Sequence, residues 1–213
     1  MSFAFPKVYP ILDASFIPSA GRLGFLHLLG VSLTEAGVTL MEYRNKTGSE
    51  TEILADAAFL RASMPRERVK LILDDRADLV DPVAFDGVHV DAGDLSPADA
   101  RSLLGPDRII GAFAGSDSLL SGILEAPADY LAIGPVFTTR TKQTDKKPIG
   151  IDGVRRLREQ TGPGKVLSAA AGITLETAKE VLDAGASMVA VSEAIFRTPD
   201  PALTFSQWLR QLK

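Results

Sequence analysis

Cysteine is absent from the 213-residue chain, which excludes disulfides, thiolate nucleophiles and cysteine-ligated metals. Histidine is nearly absent too. His27 and His89 alone make a poor imidazole site, so the metal chemistry left open is that of oxygen ligands. No apolar run approaches the roughly 18 residues of a membrane span. No apolar segment with a small-residue cleavage site follows Lys7, so the expectation is a cytoplasmic protein with no membrane partner. An excess of basic charge is also missing: 23 Lys and Arg stand against 27 Asp and Glu, for a net charge of -4. Such a balance excludes nucleic acid as a partner, and any anionic ligand must be held by a few local cations.

What the chain does contain is a regular alternation. Hydrophobic residues make up 46% and charged residues 23%, the composition of a globular protein. Eight short apolar runs recur every twenty to thirty residues: Val8–Asp13, Val38–Arg44, Val69–Asp75, Gly87–Val90, Arg108–Phe113, Tyr130–Phe137, Lys165–Ala170 and Met188–Ser192. Several are almost continuous Val, Ile and Leu, as expected of parallel strands covered on both faces. Amphipathic stretches fill the gaps, at Leu23–Glu35, Glu50–Ala62, Pro97–Leu104, Ser118–Glu125, Gly153–Glu159, Leu175–Ala184 and Leu203–Leu212. Ser96-Pro97 reads as an N-cap followed by proline at N1, and Thr174 and Thr177 place hydroxyls at another helix start. Ala77–Asp86 is short, and no helix is predicted there.

No Gly/Ser-rich linker interrupts the pattern, which predicts a single domain over residues 1–213. An open doubly wound sheet would carry a glycine fingerprint after its first strand, where this chain has Leu12-Asp13-Ala14-Ser15. The predicted architecture is therefore a (β/α)8 TIM barrel, whose chemistry lies at the C-terminal ends of the strands.

Those ends are polar. Glu42, Arg44 and Lys46 alternate at the end of strand two and so point to one side; the two cations suit a pyrophosphate, Arg44 as a bidentate donor and Lys46 as a point charge. Asp74 and Asp75 end strand three, Asp91 and Asp94 follow strand four, and carboxylates from neighbouring strand ends can converge on Mg2+, with Asp75 and Asp94 the preferred pair. After strand six, Gly134-Pro-Val-Phe-Thr-Thr-Arg-Thr-Lys142 offers the hydroxyls of Thr139 and Thr141 and the charge of Lys142 to phosphate oxygens. Small residues at Ala171-Gly172 and after Ser192 would let a phosphate approach backbone N–H groups. The alternatives at these points are solvated charge clusters, salt bridges of Asp75 to Arg76 or Arg44, a helix-start charge at Asp94 and tight strand-to-helix packing. His89 reads as an interior histidine, and His27 is placed on an apolar helix face with no chemistry.

Together these elements, with Ala171-Gly-Ile-Thr174, resemble the thiamine phosphate synthase/TenI-like family along almost the whole chain. The resemblance implies a Mg2+-dependent transferase that joins an aminopyrimidine methyl diphosphate to a thiazole phosphate, releasing pyrophosphate. Its substrates are small phosphorylated molecules, and a homo-oligomer is compatible with it. By motif, Arg44, Lys46 and Lys142 would act on the pyrophosphate, Asp75 and Asp94 would bind Mg2+, and Thr139, Thr141, Ala171, Gly172, Ser192 and Glu193 would contact substrate. The chain departs from the family at Glu42 (usually Gln), Asp74 (usually Asn), Phe113 (usually Ser), Ala171 (usually Gly) and Glu193 (usually Ser). Phe113 is expected to crowd the pyrimidine, and the added carboxylates to repel phosphate. A thiazole tautomerase would need a histidine after strand five, where Gly111-Ala-Phe-Ala-Gly-Ser116 has none. A relative with altered substrates, or a non-catalytic phosphate-ligand binder, is the alternative. The polar stretch Thr138–Pro148 is where closure on ligand is expected.

Overall fold

The computed structural model describes residues 3–91, 93, 95–115, 120, 122–138 and 147–212. Eight parallel strands close into a barrel in sequence order, β1 pairing with both β2 and β8. They are β1 (Val8–Asp13), β2 (Leu40–Arg44), β3 (Lys70–Asp74), β4 (Gly87–Val90), β5 (Ile109–Gly115), β6 (Tyr130–Ile133), β7 (Leu167–Ala170) and β8 (Met188–Val191). Each lies within a residue or two of an apolar run in the sequence, except that the strand in Tyr130–Phe137 stops before Gly134. The helices are α1 (Arg22–Glu35), α2 (Glu50–Ser63), α3 (Pro97–Leu104), α4 (Gly150–Thr161), α5 (Leu175–Asp183), the four-residue α6 (Glu193–Phe196) and α7 (Pro201–Gln211). Of the helix expected over Ser118–Glu125, Leu120, Gly122 and Ile123 are helical and Leu124 and Glu125 form a turn, while 118, 119 and 121 lie outside the described residues. The stretch after β3 holds a 3-10 turn, Ala77–Leu79.

Alternation along the strands builds two cores. Val8 and Leu12 of β1, Met41 and Tyr43 of β2, and Leu71 and Leu73 of β3 join the helices in the larger one. Their neighbours Tyr9, Leu40 and Ile72 point the other way, into the barrel, with Ile109, Tyr130, Met188 and Ala190. Phe3 and Phe5 pack against this inner cluster, Phe5 edge-on to Tyr130 at 5.7 Å between ring centroids. One set of inward positions is therefore apolar, and further along the same strands the inward positions become polar.

Helix starts follow the sequence chemistry. Ser96 Oγ accepts from Asp99 N at 3.1 Å ahead of Pro97, and Thr174 and Thr177 form a reciprocal capping box. His27 lies on the exposed side of α1, a correction to its expected place on an apolar face. That face of the helix carries Leu26, Leu29 and Leu33 instead.

Candidate active site at the barrel mouth

A cavity of about 530 Å3 opens at the C-terminal ends of the strands, within the size range of small-molecule sites. Its walls include Asp13, Glu42, Arg44, Asp74, His89, Asp91, Phe113, Ala171, Gly172, Ser192 and Glu193, contributed by seven strands or the turns after them. Phe113 stands in this wall.

The cations of β2 are surrounded by acid. Arg44 NH1 bonds Asp13 Oδ2, and its Nε lies 3.5 Å from Asp74 Oδ2. Lys46 bonds Asp75 Oδ2 and stands 3.0 Å from Asp74 Oδ2 and 3.8 Å from Asp91 Oδ2. Among the described residues, five carboxyl groups (Asp13, Glu42, Asp74, Asp75, Asp91) thus meet two cations. The imbalance shows in their proton affinities. Burial, Glu42 and Asp75 push Asp74 up to about 7 against the pull of His89 and Lys46. Glu42 is likewise pushed up to about 7 by burial and Asp91, although Tyr9, Arg44 and Lys46 oppose this. Burial weakens the charge on Lys46, but Asp74 and Asp75 more than offset it and its pKa is raised. Asp13 is held below the ordinary carboxyl value, burial being outweighed by Ser15 and Arg44.

Asp75 adopts a left-handed backbone with φ 63°, uncommon away from glycine and associated with functional sites. Its N–H donates to His89 O at 2.8 Å, while among the described residues its buried Oδ1 has no hydrogen-bond partner. Buried carboxylate oxygens left in this state cost stability unless a cation or ligand meets them. Among the described residues no group of three His, Asp or Glu side chains is set to hold a metal by itself. A Mg2+ site here would use Asp75 with substrate oxygens and ligands from outside them.

Beneath the charges, a hydroxyl chain crosses the barrel. Tyr9 OH donates to Glu42 Oε2 at 2.7 Å and lies 2.9 Å from Tyr130 OH, which is 3.1 Å from His89 Nδ1. Burial, then Glu42, holds both phenols well above their usual pKa, so they remain hydroxyls. On the opposite side Ala171 (φ 74°) and Gly172 (φ 69°) turn the chain after β7. A Cβ at Gly172 would lie 2.5 Å from Thr138 O, so that turn also needs glycine for room. Ser192 Oγ donates to Ile11 O at 2.6 Å, and Glu193 pairs with Arg197 at 3.2 Å.

Of the residues singled out from the sequence, Glu42, Arg44, Asp74, Phe113, Ala171, Gly172, Ser192 and Glu193 line one cavity, with Lys46 and Asp75 on its rim through Asp74. Arg76 does not join them; it pairs outward with Glu50 and Asp78, both at 2.6 Å. Asp94, Thr139, Thr141 and Lys142, with most of the Thr138–Pro148 stretch, lie outside the described residues. Sequence reasoning did not single out Asp13, Tyr9 and Tyr130. The alternation Tyr9, Ile11, Asp13 carried the signal for two of them, since it continues one inward face to the strand end.

A family model described as thiamine monophosphate synthase matches residues 9–195. The chain is 41% identical over 207 residues to a thiamine-phosphate synthase of Koribacter versatilis, covering 97% of this chain and 96% of that protein. It is 37% identical over 205 residues to one from Agrobacterium fabrum, at 95% and 93% coverage. A solved thiamine phosphate pyrophosphorylase from Pyrococcus furiosus matches the fold with a TM-score of 0.81 at 28% identity, over 97% of this chain and 94% of that one.

Proposed function

The chain belongs to the thiamine monophosphate synthase family, and from that membership we propose that it joins 4-amino-2-methyl-5-pyrimidinylmethyl diphosphate to thiazole phosphate, in the presence of Mg2+, to give thiamine phosphate and pyrophosphate. One observation carries the reading: two cations, an excess of carboxyl groups and a cavity meet at one end of the barrel.

In the reaction the bond between the pyrimidine methylene and the diphosphate oxygen breaks, the electron pair leaving with the diphosphate. The thiazole nitrogen then gives its lone pair to the methylene carbon. No protein nucleophile is required, in keeping with a chain that lacks cysteine. Arg44 and Lys46 hold the diphosphate and stabilise the charge that develops on it. Lys142, Thr139 and Thr141 complete these contacts; in the sequence they follow Thr138, which lines the cavity. Asp75 and Asp94 hold Mg2+, which when bound offsets negative charge on the leaving group. The thiazole phosphate lies against the turns at Ala171-Gly172 and Ser192-Glu193, where pairing with Arg197 offsets the Glu193 charge. A cytoplasmic location belongs to the same proposal, since a charged diphosphate does not cross a bilayer unaided.

Calorimetric titration with inorganic pyrophosphate tests the site. Mg2+ is expected to tighten binding, and Asp75→Asn to remove that gain. Equal affinity with and without Mg2+ in the parent protein contradicts the proposed metal role.

A further inference from the structure

Between Arg44, where β2 ends, and Glu50, where α2 begins, five residues turn the chain from the barrel to its outer layer. Arg44 and Lys46 must emerge from this turn with their charges over the mouth. The residue between them is Asn45, whose amide offers two donors and an acceptor oxygen with two lone pairs. All of this capacity is used. Nδ2 donates to Tyr43 OH at 3.0 Å and to Glu52 Oε1 at 2.9 Å, while Oδ1 accepts from Gly48 N at 2.8 Å and Thr47 N at 3.3 Å. The turn closes directly onto this amide. A Cβ at Gly48 would stand 2.3 Å from Asn45 Nδ2 and 2.6 Å from Glu52 Oε1, so glycine is needed there for room.

Behind Asn45 lies a second group with no part in the cavity wall. Tyr43 OH donates to Asp56 Oδ2, and Asp56 is fully buried. Arg22 reaches Asp56 through Nε at 2.9 Å and NH2 at 2.6 Å, and Glu52 through NH2 at 3.1 Å. Burial, then Asp56, raises the Tyr43 pKa, so this phenol stays a donor to Asp56 and its oxygen remains an acceptor for Asn45. The network ties α1, β2 and α2 together. For stability alone, well-packed apolar residues commonly serve as well as a buried ion pair. What apolar residues cannot supply is a fixed direction for a five-residue turn.

We propose that Asn45 is a positioning residue for diphosphate binding: fixed from behind by Tyr43, Asp56 and Arg22, it holds the turn so that Arg44 and Lys46 reach the same ligand. The proposal rests on the reading of those two cations as the diphosphate holders, and the test separates the two.

The probe is inorganic pyrophosphate with Mg2+, titrated calorimetrically into the full chain and into Asn45→Ala, Lys46→Ala and the double variant. Asn45→Ala is expected to weaken binding about tenfold, within the range of couplings between contacting residues. In the Lys46→Ala background the loss is expected to be clearly smaller, because one of the two cations it brings to the ligand is gone. Gly48→Ala, whose methyl drives the Asn45 amide and Glu52 Oε1 aside while leaving the Tyr43–Asp56 and Arg22–Asp56 bonds in place, should reproduce this signature and serves if Asn45→Ala fails to fold. An equal loss in both backgrounds shows a general scaffold role and overturns the proposal, as does unchanged binding in both Asn45→Ala and Gly48→Ala. Pyrophosphate binding that Lys46→Ala leaves intact overturns the clamp reading itself and the proposal with it.

Discussion

Ala171 holds a left-handed backbone, φ 74°, immediately before Gly172 at 69°. An L-residue pays steric strain there that glycine does not, against the smaller entropy that glycine loses on folding. Ala171→Gly is therefore expected to stabilise the fold by about 0.5–1 kcal/mol in urea denaturation. Glu42 makes the opposite kind of residue-level statement. Its folded pKa, pushed up to about 7 by burial and Asp91, lies above the unfolded value of about 4.3. Between those values the folded protein keeps a proton that the unfolded chain has lost, so stability falls as pH rises through the window. Glutamine in its place cannot ionise and keeps an oxygen for Tyr9. Relative to the parent, Glu42→Gln should gain stability between about pH 4.5 and pH 8, by up to roughly 3 kcal/mol. A parent that becomes more stable than the variant as pH rises contradicts the buried, proton-retaining carboxyl.

At the scale of elements, strands and helices were legible because their periods differ. Continuous Val, Ile and Leu marked strands buried on both faces, and caps such as Ser96 and Thr174 marked helix starts. Less legible was what the turns do. The four-residue α6 has no period to read, and the left-handed Asp75 follows from a local path that residue type does not announce. Asn45 looked like one polar residue among several until its four hydrogen bonds appeared. The last helix gives a direct test of element chemistry. Asp200 Oδ1 accepts from Leu203 N at 2.9 Å at the start of α7, which buries Phe205 and Trp208. Asp200→Ala should lower stability by about 1 kcal/mol, measured by denaturant melts; an unchanged midpoint would show that the packing of Phe205 and Trp208 alone sets this end.

For the whole molecule, closure of eight strands gathers residues from distant parts of the chain. Asp13, Glu42, Arg44, Asp74 and Asp91 come from four successive strands or their ends and meet at one mouth. The inward alternation of each strand made Glu42, Arg44 and Lys46 legible as a group. The Asp13 counter-charge was not, because it meets Arg44 only through the β1–β2 register, Asp13 against Arg44. The expected repulsion by Glu42 and Asp74 also looks different in three dimensions: buried together, they hold protons more tightly than ordinary carboxyls. Within the proposed reaction, Lys142→Ala should lower turnover more than tenfold, a loss above about 1.4 kcal/mol of transition-state stabilisation. Steady-state rates equal to those of the parent would remove Lys142 from that role.

The central claim is that this mouth joins two phosphorylated rings. Purified protein incubated with Mg2+, 4-amino-2-methyl-5-pyrimidinylmethyl diphosphate and thiazole phosphate should release pyrophosphate and thiamine phosphate in equal amounts, both detected by chromatography. Absence of thiamine phosphate at saturating concentrations of both precursors would contradict it.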